Sequence, residues 1–418
     1  MQWITWLFLA ALAAETGMRL WLGSRQIAAV QAHRDEVPER FRGQIELIDQ
    51  QKAADYTSAR VRFGRWATVA EAVVKIMLTL GGGLAAVDTA WRLTGFIEPW
   101  RGALTVATLL LLLQLVGLPF SWWRTFRIEA RFGFNRVSPA LYFKDLAKQW
   151  LLAAALGGPL LLATLALMEH AGTWWWLWVW VMWTIWTLGL SWAAPKFIAP
   201  WFNRFSPLAD ESLKKRVEGL LERCGFAARG GVFVMDGSLR SAHGNAYFTG
   251  IGRNKRIVFF DTLLSRIEAP EIEAVLAHEL GHFRLHHVRQ RLAASLLVSF
   301  GGLALLAWLA RRPDFYAALG VARPSAAMAL LLFMLTVPVL AFFATPITSW
   351  WSRRHEREAD EFAAQHADAG KLAAALVKLF RDNASTLTPD RIHSAFFDSH
   401  PPALERIARL DALAPGAR

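Results

Sequence analysis

The chain has a single cysteine, Cys224, in 418 residues. That excludes an intramolecular disulfide and any metal site built from several thiolates, so a metal here must be held by histidine and carboxylate. Charge is also scarce, with 19% charged residues against 54% hydrophobic ones, and acids are the rarer sign at 34 against 46 basic residues. The resulting charge of +12 does not point to nucleic acid. The basic residues fall in short clusters beside apolar stretches, and no aromatic-interleaved RNA motif accompanies them. Repeats and low-complexity tracts are missing. So are a basic leader and a small-residue cleavage site at the N-terminus, and the first apolar stretch is therefore read as a retained helix. What is abundant is apolar surface, including 21 tryptophans. The composition is that of an integral membrane protein.

A spanning helix needs about 20 largely apolar residues. Seven stretches qualify, at about 2–22, 66–90, 102–123, 150–169, 173–195, 292–310 and 326–350. Glu15 and Arg19 in the first, and Glu71, Lys75 and Asp88 in the second, are expensive in lipid unless they face protein or water. Either Glu71 and Lys75 pair along one helix face or these residues line an aqueous interior. The loops after the first and third stretches are rich in Lys and Arg, whereas the opposite loops hold few. That asymmetry places the N-terminus outside and the C-terminus in the cytoplasm.

The chain divides into 1–195 (transmembrane helices 1–5), 196–291 (an extramembrane segment), 292–350 (helices 6 and 7) and 351–418 (a C-terminal helical segment). The second part opens with a helical pattern after Asp210 and Glu211. It continues in two β-rich runs, "GGVFVMDGS" and "NAYFTGIGRNKRIVFFDTLL", with Gly-Arg-Asn-Lys as a hairpin turn. The basic residues that flank acids between 351 and 391 are read as a solvated face.

The stretch "AVLAHELGHFRLHHV", residues 274–288, holds four of the eleven histidines. In His278-Glu279-Leu280-Gly281-His282 the two imidazoles lie one turn apart on one helix face. There they can share a Zn²⁺, with Glu279 placed to take a proton from the water that zinc acidifies. Acids at the helix start, Glu271 and Glu273, suit its dipole. Three ligands in a row on one straight helix cannot converge on one ion, so His286 and His287 are read as surface residues. The continuation that would bring a third histidine soon after His282 is absent, and the third ligand must come from elsewhere. Two spans return the chain to the same side, where "WWSRRHEREADEFAAQ" follows. Its Glu356 and Asp360, four apart, suit a ligand and an acid that holds an imidazole N–H; from spacing alone a solvated charged face fits equally.

His278-Glu279-x-x-His282 followed by Ser352-Arg353-x-x-Glu356-x-x-Ala359-Asp360 resembles the integral-membrane zinc metallopeptidases of the CAAX prenyl endopeptidase type. "EARFGFNR" (129–136), "FNRFSPL" (202–208), "MDGSLRSAHGNAYFTG" (235–250), "KRIVFFDTLL" (255–264) and "SHPPALERI" (399–407) match in the same order. The resemblance implies one Zn²⁺ on His278, His282 and Glu356, with Glu279 as general base and Asp360 supporting the site. It also implies that His400 polarises the scissile carbonyl and that Asn245, Ala246, Tyr247 and Phe248 lie in an edge strand that pairs with the substrate backbone. The implied fold is mainly α, with seven helices enclosing a chamber and a zincin-like α+β domain carrying the zinc. The partners would be a bilayer and a peptide or protein substrate, with or without a prenyl group. The end "ALAPGAR" carries no retention signal and the link between helices 6 and 7 is short, which fits a bacterial inner membrane.

Three other readings compete with a protease that cuts near peptide C-termini. One is a loosely specific quality-control protease. Another is a transporter or channel with a closed structural zinc site, in which Glu279 would have no role. The third is an intramembrane protease with its motif inside a span, against which Arg284, Arg289 and Arg291 argue.

Overall fold

The computed structural model describes residues 2–226, 231–249 and 256–414; the expected Gly-Arg-Asn-Lys turn lies outside the described residues. Helix α1 (Gln2–Ala32) pairs with α2 (Leu47–Leu78), and α3 (Gly83–Arg92) continues α2 after a bend of 51°. The bend falls at Gly81-Gly82-Gly83, where Gly82 takes φ 77° and a Cβ on Gly81 would lie 2.7 Å from the Met77 carbonyl oxygen. The expected span 66–90 is thus two helices in series. Helices α4 (Trp100–Glu129), α5 (Pro139–His170) and α6 (Gly172–Phe202) follow.

After strand β1 (Phe205–Pro207) come helix α7 (Glu211–Arg223) and strands β2 (Val232–Met235), β3 (Ala246–Thr249) and β4 (Arg256–Phe260). Then come α8 (Ala269–Arg284), α9 (His287–Ala310), the long α10 (Ala326–His366), and α11 (Ala369–Asp382), α12 (Arg391–Phe397) and α13 (Ala403–Leu413).

Among the described residues, five helices are long and apolar enough to cross a membrane, α4, α5, α6, α9 and α10, and the bent α2–α3 pair makes six. The chain is a multi-pass membrane protein. The charges expected to be costly in lipid are paired with opposite charges, Glu15, Lys75 and Asp88 buried and Glu71 exposed. Lys75 Nζ lies 3.0 Å from Glu71 and 3.7 Å from Glu15, Glu15 accepts from Arg19 at 2.9 Å, and Asp88 accepts from Arg92 at 2.6 Å. A cavity of about 620 Å³ lies between α2, α4 and the segment 383–398, and Tyr56, Arg60, Arg124 and Asp398 are in its wall.

The sheet has the order β1-β2-β4-β3, with β2 and β4 parallel and the outer pairs antiparallel. In β4, Ile257, Val258 and Phe259 are all buried, which is why its apolar run is continuous rather than alternating. Among the described residues, strand β3 is left at the edge, paired on one side only, with Tyr247 opposite Val258. One core joins this sheet to α7, α8, α11 and α13 through residues such as Val217, Leu276, Leu280, Leu376 and Ile407.

Candidate active site

Helix α8 starts at a capping box, in which the side chains of Glu268 and Glu271 each accept from the other's end of the first turn. Ile272, Val275, Leu276 and Leu280 recur at helical spacing and are buried in the core, which fixes how the helix is turned. His278, buried, and His282, partly buried, then face α10. Between them Gly281 lets the two helices close together, since a Cβ there would come within 3.0 Å of Ala359 Cα and 3.2 Å of its carbonyl oxygen.

This close crossing brings Glu356 over both imidazoles. His278 Nε2 and His282 Nε2 are 3.2 Å apart, and each is 3.4 Å from an oxygen of the Glu356 carboxylate. Glu356 Oε2 is buried and has no hydrogen bond of proper geometry. Two imidazole nitrogens and an under-used carboxylate oxygen converging in this way suit a cation. A tetrahedral ion about 2.0–2.1 Å from each ligand separates them by about 3.3 Å.

Asp360, one turn after Glu356, lies 2.8 Å from His278 Nδ1. Arg406 from α13 donates to both Asp360 oxygens, at 2.8 and 2.9 Å, and its Nη2 lies 3.6 Å from Glu356 Oε2. Burial works against the charge of Arg406, but the Asp360 and Glu356 carboxylates outweigh it and raise its pKa. The Glu279 side chain is partly buried and makes no hydrogen bond among the described residues. His400 is exposed, with Nδ1 2.7 Å from Glu356 Oε2. Asn245 precedes the edge strand, where its side chain accepts from the Ala246 N–H, and α8 packs against that strand.

Three features were not foreseen. His287 is buried, at 1% exposure, rather than a surface residue. His286 adopts φ 63°, a left-handed corner that turns the chain back after α8 and brings His287 beneath His282; His286 itself is exposed. Arg353 is not on a solvated face either, as it donates to the carbonyls of Ser394 and Asp398 and so anchors the segment leading to His400. Arg406 stood in the sequence inside "SHPPALERI" with nothing local to set it apart.

In the metal-free site, burial and the nearby Arg406 oppose a charge on His278, yet the carboxylates of Asp360 and Glu356, 2.8 and 3.4 Å from its ring nitrogens, raise its pKa to about 9. At pH 7 the metal-free imidazole is therefore protonated, and a metal taken up by His278 would displace that proton. Calorimetric titration of zinc in buffers of different ionisation heat is expected to show release of about one proton at pH 7, with apparent affinity rising about tenfold per pH unit. Release should fade above pH 9. Zinc binding without proton release at pH 7 would refute this.

A multi-pass membrane fold with a His-Glu-x-x-His helix packed against a helix bearing carboxylates is that of a membrane metallopeptidase. Residues 26–204 match the profile described as CAAX prenyl protease N-terminal, five membrane helices, and residues 207–414 match peptidase family M48. The chain is 36% identical to the CAAX prenyl protease 1 homolog of Arabidopsis thaliana, over 71% of this chain and 70% of that one. It is 36% identical to CAAX prenyl protease 1 of Saccharomyces cerevisiae (71% and 69%) and 30% identical to the human homolog (87% and 86%). The crystal structure of S. mikatae Ste24p superposes with a TM-score of 0.90 at 29% identity, covering 98% of this chain and 99% of that one. The chain belongs to peptidase family M48 and is a membrane zinc endopeptidase.

Proposed function

We propose that the protein cuts peptide bonds near the C-terminus of substrates that reach an intramembrane chamber formed by seven helices, α1 included, with a single zinc ion held by His278, His282 and Glu356. The observation that carries this reading is the convergence of His278 Nε2, His282 Nε2 and the Glu356 carboxylate to within 4.8 Å of one another. The ion supplies Lewis acidity, acidifying water and polarising a peptide carbonyl. Glu279 accepts the proton of the attacking water and passes it to the leaving amine. His400, exposed beside Glu356, donates to the carbonyl oxygen as it gains charge. Asp360 orients His278, and Arg406 keeps Asp360 ionised in its buried setting.

The free edge of β3, from Asn245 through Ala246, Tyr247 and Phe248, holds the peptide as an added strand. Main-chain hydrogen bonds give affinity with little demand on sequence. We divide the chain into 1–195, 196–291, 292–350 and 351–418, with the catalytic parts on the cytoplasmic side and the N-terminus outside, as the distribution of Lys and Arg supports. A bacterial inner membrane is the setting we infer.

The relatives' names speak of CAAX prenyl substrates. The test is cleavage of two matched peptides, one C-terminally farnesylated and one not, by the purified protein. Faster cleavage of the farnesylated peptide supports a prenyl-directed enzyme. Equal cleavage would replace that reading with a loosely specific quality-control protease.

A further inference from the structure

We propose that His287 is a positioning residue for His282: its Nδ1 accepts a hydrogen bond from His282 Nδ1–H, and Glu358 holds it in the tautomer that can do so. The proposal rests on the reading that His282 binds zinc through Nε2.

A neutral imidazole carries one proton. If Nε2 of His282 faces the ion, the proton is on Nδ1, and Nδ1 lies 2.9 Å from Nδ1 of His287. Two nitrogens at that distance need one donor and one acceptor, so His287 Nδ1 is bare. The proton of His287 then sits on Nε2, which is 3.0 Å from Glu358 Oε2. The other Glu358 oxygen accepts from Arg354 Nε at 2.9 Å. Every proton in the chain from Arg354 through Glu358 and His287 to His282 is assigned, and no donor is left facing a donor.

The surroundings keep His287 from turning away. It is buried, and the His355 ring stacks on it at 4.0 Å with planes 6° apart. His355 is held in turn by Gln290, 3.0 Å from its Nε2. A partner on the far nitrogen of a metal-binding histidine fixes the ring and raises its basicity. The two histidines of the motif thus have different partners, a buried carboxylate backed by Arg406 for His278 and an imidazole backed by Glu358 for His282.

His287, His355 and Glu358 also lie close enough to suggest a second metal site. The parallel stack speaks against it. Imidazole lone pairs lie in the ring plane, and an ion shared by two stacked rings would stand well out of both. Nor is His287 a third histidine ligand of the first site, since it meets His282 on the nitrogen away from His278 and Glu356.

The test is zinc affinity, by competition with a chelator, of the detergent-purified chain and its H287L, H287N, E358Q and H282A variants. Thermal unfolding of the metal-free proteins would report whether each variant is folded. H287L is expected to bind zinc about 10–100-fold more weakly, and E358Q to show a smaller loss. H287N, whose amide oxygen takes the place of Nδ1 and can still accept from His282, is expected to lose markedly less than H287L. Wild-type affinity in H287L, or an equal loss in H287L and H287N, would overturn the proposal, the second outcome leaving only a packing role. Unchanged affinity in H282A would instead show that His282 is not a zinc ligand, and the reading of the site would fail with it.

Discussion

Glu279→Gln is expected to lower kcat by about 10²–10⁴-fold, the usual worth of a general base, while the protein still carries its zinc. The amide has nearly the shape of the carboxylate but cannot take a proton from water at neutral pH. Because the Glu279 side chain is partly buried and makes no hydrogen bond among the described residues, the change breaks no hydrogen bond there. Arg406 loses only a longer-range attraction and keeps both bonds to Asp360. The readouts are single-turnover cleavage and zinc counted per chain. A variant that cleaves at the wild-type rate would remove Glu279 from the mechanism. A structural zinc site predicts that silence, which makes this substitution the sharpest separation between an enzyme and a transporter that keeps a metal for stability.

The helix carrying His278 and His282 was legible because its information is local: apolar spacing, acids at the start and two histidines one turn apart all describe a single helix. The spans were legible only as apolar lengths. Hydropathy marks the residues that face lipid, whereas the backbone continues to pair beyond the bilayer wherever an amphipathic face finds a partner. Thus α2 begins at Leu47 rather than near 66, and α10 runs on to His366. Strand β1 escaped notice because three residues, one of them Pro207, carry no alternation. The parallel pairing of β2 with β4 belongs to topology, which no local pattern encodes. His287 was misread for a related reason. On an ideal helix it points away from His282, and only the left-handed corner at His286 brings it back. Arg406 sits in an amphipathic helix where an arginine reads as solvated until α10 is packed against it.

Arg406→Met carries the second large expectation, a loss of about 3–5 kcal/mol of stability in the metal-free protein, the cost of leaving a buried charge without its partner. Asp360 is 1% exposed and Arg406 6%, and the two share two hydrogen bonds. Methionine fills much of the arginine's volume, so cavity formation is a minor part of the effect. What is lost is the only cation bonded to Asp360 among the described residues apart from His278. The variant is therefore expected to unfold at lower temperature. It should also bind zinc more weakly, because Asp360 then favours a protonated His278 more strongly. The control is Arg406→Met combined with Asp360→Asn, which removes both charges. Replacing a buried ion pair by neutral groups of similar volume is often close to neutral, so the double variant should regain most of the lost thermal stability. It should not regain the metal affinity, since a neutral amide in place of the Asp360 carboxylate is a weaker acceptor for His278 Nδ1. Equal unfolding temperatures for the single variant and the wild type would show that Asp360 does not depend on Arg406 for its charge, and the account of how α13 supports the site would fall.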